Sequence, residues 1–547
     1  MNYIDWMVIG IYFSVVIGLA LYLSRKQKDT EDYYLAGRKI KWWQSGASTM
    51  ATQLGAISFV SAPAFVAIKE GGGLKWLCYE FGVPLALIPV MAFIIPVLHR
   101  HHTISIYEYL EKRFDGQTRT LVSVLFQLGR GLATAVAVLA GGLILSTALS
   151  ISTPTAILLV GAITIIYDAL GGIKVVILSD FLQMIIIIAG IFICGVAAIY
   201  LVGWETGWAM LPADRFEILD FKSWGTSSEG TYGFWPMLIG GFFLYIAYYG
   251  TDQSQVQREL SVGSVDDVRK SLVVNAIGRF PLVLSYCIMG ILVGAVFTQG
   301  EAVVQVAHTL GIESERVQTI LSHDPDRMVP MFILSFLPHG IIGFIFVAIM
   351  AALMSSLDSG LNSLSAVTMK DIYQRYIKKE AQERHYLIVS KLFTLGWGIF
   401  CVGTALILYS FGETTRQTTI VRINQVGSLF YGPILAAFAL GMINSRIASI
   451  PIKIGITGGI LTNIFLWQYT EISWFWWNVS GFLGTAGFAF LANFLRNEQP
   501  ETLSDSLLIQ GREEHSRINW KMIYLMIIFY FFVLIMATFL IEKSGSG

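Results

Sequence analysis

The chain has 547 residues, of which 55% are hydrophobic and only 14% are charged, and its 37 Lys and Arg residues balance 37 Asp and Glu residues. This composition excludes a soluble globular protein, and a formal net charge of zero gives no sign of nucleic-acid binding. The longest polar stretches, near residues 203–235, 300–327 and 496–517, are too short for a catalytic or nucleotide-binding domain. No Gly-x-x-x-x-Gly-Lys-Ser/Thr pattern is present, which argues against an ATP-driven pump. The sequence therefore predicts an all-α polytopic membrane protein that is not an enzyme.

Apolar runs of about twenty residues, the length that crosses a bilayer, recur along the chain. We count about fourteen of them, starting near residues 5, 45, 76, 120, 154, 175, 236, 273, 328, 385, 418, 450, 474 and 518. The first run follows Asp5 and has no small-residue cleavage pattern, so we expect a retained helix and not a removed signal peptide. Four cysteines lie in or beside these runs without metal or redox spacing, and we interpret them as packing residues: Cys78, Cys194, Cys287 and Cys401.

Lys and Arg are distributed unevenly between alternate loops, and cytoplasmic loops are enriched in both residues. We place about 26 of the 37 on one side of the membrane and about 8 on the other. This asymmetry predicts a multi-pass protein of the plasma (inner) membrane with both termini extracytoplasmic. The loops that it assigns to the cytoplasm lie near residues 24–41, 100–119, 258–270, 370–384 and 496–521.

The second apolar run is interrupted by polar and small residues between Gly46 and Ser58. Thr49, Thr52 and Gln53 fall at its centre, where a local break in the helix would release backbone carbonyls that can bind a cation or a solute. A face of small residues that packs closely on another helix has the same composition. Both interpretations stay open from this segment alone.

Three charged side chains lie within later apolar runs. Arg130 needs an anion, which is either an acid within the membrane or an anionic substrate, and we favour the substrate. Asp180 either pairs with Lys174, near the cytoplasmic start of its span, or joins the region of Ser359 in a cation site. Arg279 lies about two turns into its span, where it can bind solute or extend its charged end to the cytoplasm.

A row of oxygen-bearing residues follows the long apolar stretch that begins near Met328. At about 100° per residue, five positions fall on one narrow helix face, with the Asp358 carboxylate beside them: Ala352, Ser355, Ser356, Ser359 and Ser363. Such a face could coordinate a small hard cation. The alternative is that serines let membrane helices approach closely, but five oxygens with an aspartate favour the cation site.

Five motifs, taken together and in this order, resemble the sodium/solute symporter family over about residues 5 to 450. Each motif alone is weak, whereas five in the right order are specific. They are the segment from Gly46 to Phe59, Ile106 to Phe114, Gly171-Gly172-Ile173-Lys174 with Asp180 and Gln183, Thr251-Asp252-Gln253 with Gln257-Arg258, and Ser355-Ser356 to Asn362-Ser363 ending in Met369 to Tyr373.

The resemblance implies the LeuT-type fold, with two inverted repeats of five helices and about fourteen transmembrane helices in all. The first helix of each repeat is interrupted in this fold. The division that it implies is an extra N-terminal helix and loop at 1–44, the first repeat at 45–202, an extracellular loop at 203–235, the second repeat at 236–446 and three peripheral helices at 447–547.

The resemblance also implies two sodium sites. The site common to the family would use backbone carbonyls and hydroxyls of five residues, all of which match: Ala51, Leu54, Ala352, Ser355 and Ser356. A second site, known in some members, would use Asp180, Ser355, Asp358 and Ser359. Asp358 stands where a serine can stand, so the second site carries an extra charge that would suit a cation.

The solute positions match the family less closely. The resemblance implies Gln53, Ser58, Glu80, Arg130, Tyr248, Tyr249, Arg279, Asn424 and Gln425. Compared with sugar-transporting members, Gln53 replaces an asparagine, Arg279 a lysine and Asn424 a glutamine, so a sugar pocket is not preserved. Gly129-Arg130 is similar to members that carry sialic acid or other organic anions, in which the arginine meets a carboxylate.

The resemblance thus implies a sodium-coupled secondary active symporter that imports a small organic solute by alternating access. We favour an organic anion, such as sialic acid or another carboxylate, as the solute. Sodium is the coupling ion, and no obligatory protein partner is expected. Two alternatives remain, a sodium-coupled sugar symporter and a sensor that keeps the transporter fold without transporting. Proton coupling through Asp180 or Asp358 is a variant of the first interpretation.

Overall fold

The computed structural model describes residues 1–25, 27–149, 151–227, 231–411, 413–496, 507–508 and 516–545, without the side chains of residues 56–57, 148 and 413–424. Throughout these ranges the protein is helical and contains no β-strand. The predicted all-α class is therefore confirmed.

The described residues between 1 and 209 contain ten α-helices, with short 3₁₀ or π-helical turns among them. They are α1 (Tyr3–Ser24), α2 (Thr30–Leu35), α3 (Trp42–Gln53), α4 (Ala56–Ala67), α5 (Gly82–Pro89), α6 (Ile95–Arg100), α7 (Glu108–Arg113), α8 (Gly116–Leu149), α9 (Thr153–Val202) and α10 (Trp204–Ala209).

Twelve further α-helices follow in the part of the chain that the structure describes. They are α11 (Gly241–Thr251), α12 (Gln253–Leu260), α13 (Val265–Val296), α14 (Gly300–Leu310), α15 (Ser314–His323), α16 (Met328–Phe336), α17 (Ile341–Val367), α18 (Glu383–Ser410), α19 (Glu413–Ile443), α20 (Ser449–Tyr469), α21 (Phe475–Arg496) and α22 (Trp520–Gly545).

Within the described ranges, eleven helical stretches are long and apolar enough to cross a membrane, or twelve if the bent pair α3 and α4 is one span. The prediction of about fourteen spans is therefore not confirmed, although the multi-span class is. Length explains part of the difference. The 50-residue α9 counts once, and α11 is too short to count.

Three breaks interrupt helices that would otherwise run on. Between α3 and α4 the backbone leaves helical geometry at Leu54, and between α11 and α12 it is extended at Asp252. Within α9, Gly172 has φ +61°, and a Cβ added there would lie 2.5 Å from the backbone oxygen of Tyr33. Glycine is required at this position both for its dihedral angle and for the close approach of the second chain segment.

The helices pack so that the broken segments lie at the centre. α9 packs on α17 and α3, while α13 packs on α3 and α4, and α1 lies against α9 and α17. The side chains that remain exposed on α22 are large and apolar, as on Phe529 and Met536, which suits a surface that faces lipid. All four cysteines are buried and unpaired, as expected for packing residues.

The contact between α1 and α17 provides a test of this packing. A Cβ on Gly343 would lie 2.6 to 3.0 Å from backbone atoms of Asp5, whereas nothing lies within 4 Å of a Cβ on Gly10 of the same helix α1. We therefore expect Gly343→Ala to destabilise the protein by about 1–3 kcal/mol, because overpacking forces the backbones apart. The midpoint of thermal unfolding in detergent should fall for Gly343→Ala and stay level or rise for Gly10→Ala; equal midpoints would contradict the packing.

Candidate functional site

The break between α3 and α4 meets the serine face of α17. The Ser355 hydroxyl lies 3.4 Å from the backbone oxygen of Ala51 and 3.1 Å from that of Ala352. The Ser356 hydroxyl lies 3.4 Å from the backbone oxygens of both Thr52 and Ala352. Carbonyl and hydroxyl oxygens from two helices thus converge where the chain leaves helical geometry.

All five residues of the expected first sodium site belong to this region, since Leu54 is the residue at the break. Ala51, Ala352 and Ser355 have no exposed surface, and Leu54 has almost none. Neutral oxygens packed at this spacing are ligands for a small hard cation. Carbonyl and hydroxyl oxygens are the donors that hard cations prefer, whereas transition metals prefer nitrogen and sulfur ligands.

Asp180 is held by a residue that sequence reasoning did not place in the site. One of its oxygens accepts hydrogen bonds from the Ser48 hydroxyl at 2.6 Å and from Nη2 of Arg258 at 2.9 Å. Arg258 also donates to the hydroxyls of Ser48 and Ser359. Asp180 therefore pairs with Arg258 and not with Lys174, and it joins the Ser359 region through the guanidinium.

Asp358 precedes Ser359 on α17 and is fully buried. It accepts hydrogen bonds from the hydroxyls of Tyr167 and Ser359, and the Ser359 hydroxyl also donates to the backbone oxygen of Ser355 at 2.5 Å. The four residues expected for a second sodium site are therefore near one another, with Arg258 contacting two of them.

The expected solute residues form two connected groups along α11. In the first, Nε2 of Gln53 donates to the Tyr249 hydroxyl at 2.5 Å, and the Ser58 hydroxyl donates to the backbone oxygen of Gln53 at 3.3 Å. In the second, Arg279 donates to both oxygens of Glu80, at 3.0 and 3.2 Å. The rings of Tyr248 and Tyr249 are 5.7 Å apart, so α11 brings aromatic faces beside these polar groups.

Arg279 is 6% exposed, and its partner Glu80 is 1% exposed. The interpretation that Arg279 extends to the cytoplasm is therefore wrong. A guanidinium that leaves the membrane interior needs no partner, whereas this one is retained by a carboxylate from a distant part of the sequence.

Arg130 contacts an acid of the protein itself. Its Nη2 pairs with the Asp252 carboxylate at the break between α11 and α12, and its guanidinium lies 5.6 Å from the centre of the Tyr248 ring. The Tyr431 hydroxyl of α19 donates to the same Asp252 oxygen at 3.4 Å. We expected a substrate as the partner of Arg130, but in this structure the partner is Asp252. The Nε of Arg130 is buried without a hydrogen-bond partner.

Two predicted solute residues lie on α19. Gln425 is half-buried there, and the Asn424 side chain lies outside the described residues. Sequence reasoning also missed Asp252, Arg258 and Tyr167 as site residues. The motifs Thr251-Asp252-Gln253 and Gln257-Arg258 contained the signal for two of them, but the short apolar run around α11 gave no reason to place either inside the helical core.

Comparisons with known proteins find relatives over most of the chain. The model of the sodium:solute symporter family matches residues 33–450. The sodium/sialic acid symporter NanT of Aliivibrio fischeri is 28% identical over 489 residues, which cover 88% of this chain and 91% of that protein. The sodium/glucose cotransporter of Vibrio parahaemolyticus is 29% identical over 486 residues, which cover 85% of each chain.

A solved structure is similar over nearly the whole chain. It is the substrate-bound outward-open state of a Na+-coupled sialic acid symporter with a novel Na+ site, and it superposes with a TM-score of 0.80 at 25% identity. The match covers 92% of this chain and all of the other. The helices described above therefore have the arrangement of a sodium-coupled symporter.

Proposed function

Because the chain belongs to the sodium:solute symporter family, it is a sodium-coupled transporter and not an enzyme, and we propose that it imports a small organic anion, a sialic acid or another carboxylate. The observation that carries the choice of an anion is Arg130, a guanidinium beside Tyr248 with a donor left free. A guanidinium matches the geometry of a carboxylate, and a neutral sugar has no use for its charge. The sialic acid symporters among the relatives support the same choice.

The proposed architecture is the LeuT type, with about fourteen transmembrane helices. Gly172 would divide α9 into two spans, and α11 would cross with the turn of Pro236–Gly240 before it as a short interrupted helix. The repeats would occupy 45–202 and 236–446, with 1–44 before them, the loop 203–235 between them and the peripheral helices in 447–547. Both termini would be extracytoplasmic in the plasma (inner) membrane, and no obligatory protein partner is proposed.

Sodium would bind first between the α3–α4 break and α17, on Ala51, Leu54, Ala352, Ser355 and Ser356. The break is also where Gln53 and Ser58 begin the solute site, and Gln53 contacts Tyr249 of α11. An ion that fixes the break therefore fixes the solute ligands beside it. Coupling of this kind requires only about 1–3 kcal/mol between the two binding events.

A second sodium would bind on Asp180, Ser355, Asp358 and Ser359. Ser355 would then be a ligand of both sites, so binding of sodium at one site would change the sodium affinity of the other. Two carboxylates buried beside the single guanidinium of Arg258 support this proposal, because an unbalanced charge in the membrane interior is costly.

The solute would bind beside the α3–α4 break, on the side away from the proposed sodium sites. The proposed ligands are Gln53, Ser58, Glu80, Arg130, Tyr248, Tyr249, Arg279, Asn424 and Gln425. Its binding would favour occlusion and then opening to the cytoplasm, where low sodium empties the ion sites.

Reconstitution of the purified protein into proteoliposomes tests the proposal and the need for any partner. Uptake of N-acetylneuraminic acid, lactate and glucose would be measured with and without an inward sodium gradient, and with a pH gradient alone. We expect sodium-driven uptake of an anion. Sodium-driven uptake of glucose alone would replace the anion with a sugar, uptake driven only by a pH gradient would favour proton coupling, and binding without net uptake would favour a sensor.

Removal of the Arg130 charge should be specific to anions. A hydrogen bond to a charged group contributes about 1.5–3 kcal/mol, so we expect Arg130→Gln to weaken anion binding by about 10- to 100-fold. The double variant Arg130→Gln with Asp252→Asn leaves no buried charge unpaired and should show the same loss. Arg269→Gln, near the start of α13 and beside Trp520, is the control. Normal anion affinity in the double variant would contradict the role of Arg130.

A further inference from the structure

The ion pair of Arg130 and Asp252 joins parts of the molecule that otherwise pack on different neighbours. α8, which carries Arg130, packs on α9, α17 and α18, whereas α11, which ends at Asp252, packs on α5 and α21. Among the described helices, α19 alone packs extensively on both, and its Tyr431 contacts Asp252 as well. A charged contact between two such groups of helices holds them in one relative position.

The other ion pair beside the solute site differs in this respect. Glu80 lies in the turn Leu74–Phe81, which packs directly on α13, the helix of Arg279. Glu80 also accepts a hydrogen bond from Tyr245 at 3.3 Å, and its pair with Arg279 uses both carboxylate oxygens. This pair therefore stabilises a contact that packing already makes, and breaking it would free no movement.

The two oxygens of Asp252 have different partners. Oδ1 caps α12, because it accepts hydrogen bonds from the backbone N–H of Ser254 at 2.8 Å and from the Ser254 hydroxyl at 2.7 Å. Oδ2 accepts from Arg130 and Tyr431. The cap can persist when the second oxygen loses its cation, so release of Arg130 does not require α12 to unfold.

The Arg130 guanidinium also has a donor without a hydrogen-bond partner. Its side chain is 15% exposed, in contrast to 2% for Asp252, and its Nε has no hydrogen-bond partner. An anionic group that reaches Arg130 from the solute side would find a free donor and then compete with Asp252 for the rest of the fork.

We propose that Asp252 is a specificity-determining residue that competes with the anionic group of the solute for Arg130. In the carrier without solute, the Asp252 carboxylate binds Arg130 where the carboxylate of the solute would bind, and this contact holds α8 to the α11–α12 break. A solute carboxylate displaces it, and the attachment between the two groups of helices is released. A neutral solute does not displace it, so the carrier moves only with an anion. This inference rests on the proposed function, in which the solute is an anion.

The direction in which one substitution changes solute affinity shows whether Asp252 competes with the solute for Arg130 or only positions Arg130. Asp252→Asn removes the charge but retains an N-cap side chain for α12. If Asp252 competes, the variant should bind N-acetylneuraminic acid at least about five-fold more tightly, because the ligand no longer displaces a carboxylate. Asp267→Asn, at a partly exposed position near the start of α13 that pairs with Lys270, is the matched control and should leave affinity unchanged.

The measurement is equilibrium binding of radiolabelled N-acetylneuraminic acid to the purified full-length protein in sodium, followed by uptake in proteoliposomes. Weaker or unchanged binding by Asp252→Asn would overturn the inference and would make Asp252 a residue that positions Arg130. If the asparagine variant does not fold, Asp252→Ser, which also supplies a cap, has the same expected sign. Failure of the wild-type protein to bind any anion while it takes up glucose would instead overturn the proposed function, and the inference with it.

Discussion

Replacement of both Ser355 and Ser356 with alanine is expected to raise the sodium concentration for half-maximal uptake at least about ten-fold. The change removes two of the five oxygens proposed to hold the first sodium and leaves only backbone carbonyls. Loss of a partner outside the coordination shell already weakens metal binding by about 10- to 100-fold, so loss of direct ligands should have no smaller effect. The measurement is initial uptake in proteoliposomes as a function of external sodium.

Ser363→Ala is the matched control for this experiment. Ser363 is a fully buried serine on the same helix, but its hydroxyl donates to the backbone oxygens of Ser359 and Gly360, each at 2.9 Å, within its own helix. Its removal should leave sodium dependence unchanged. If the double alanine variant also keeps normal sodium dependence, the proposed first site is wrong.

Arg258→Met is expected to destabilise the protein by about 3–5 kcal/mol, the usual cost of leaving one partner of a buried ion pair alone. Arg258 is 1% exposed and contacts Ser48 of α3, Asp180 of α9 and Ser359 of α17. Its loss would leave Asp180 without a cation in the membrane interior. The measurement is the fraction of folded protein in detergent as temperature rises.

Arg327→Met provides the comparison for the same residue change. Arg327 pairs with Asp324 at 2.9 Å, but its side chain is 40% exposed, and pairs of this kind contribute about 0–1 kcal/mol. Equal stability of the two methionine variants would contradict the central role of Arg258. Removal of both charges in Arg258→Met with Asp180→Leu should recover part of the stability, because no lone charge is then buried.

Local patterns were sufficient for some features of the core. The helical period of the serines from Ser355 to Ser363 correctly predicted a continuous oxygen-lined face on α17. The polar residues between Gly46 and Ser58 left a break and a packing face both open, and the structure has the break, at Leu54. Both features depend on neighbours within a few turns, which the sequence contains directly.

Features that depend on distant residues could not be predicted in this way. Glu80 and Arg279 lie 199 positions apart, so a lone arginine in an apolar run looked free to reach the cytoplasm. Arg258 was placed at the start of a cytoplasmic loop because the charged segment Gln253–Leu260 has no apolar run around it. In the structure the whole of that helix is buried, and Arg258 finds its partners on α3, α9 and α17.

The number of membrane spans also could not be predicted from local pattern and run length alone. The sequence suggested separate runs near 154 and 175, and in the structure two helical segments within α9 meet at Gly172, whose dihedral angles are not helical. What the sequence marked as a loop boundary is a single glycine whose conformation depends on the backbone of Tyr33.

The burial of all four cysteines bears on how the protein can be studied. Thiol reagents attack the thiolate at a sulfur they can reach, and Cys78, Cys194, Cys287 and Cys401 are enclosed in apolar surroundings. Maleimides should therefore leave the native protein almost unlabelled. A single cysteine introduced beside the α11–α12 break, for example Gln255→Cys, would report by its own rate of alkylation when that region becomes accessible to water, without removal of any natural thiol.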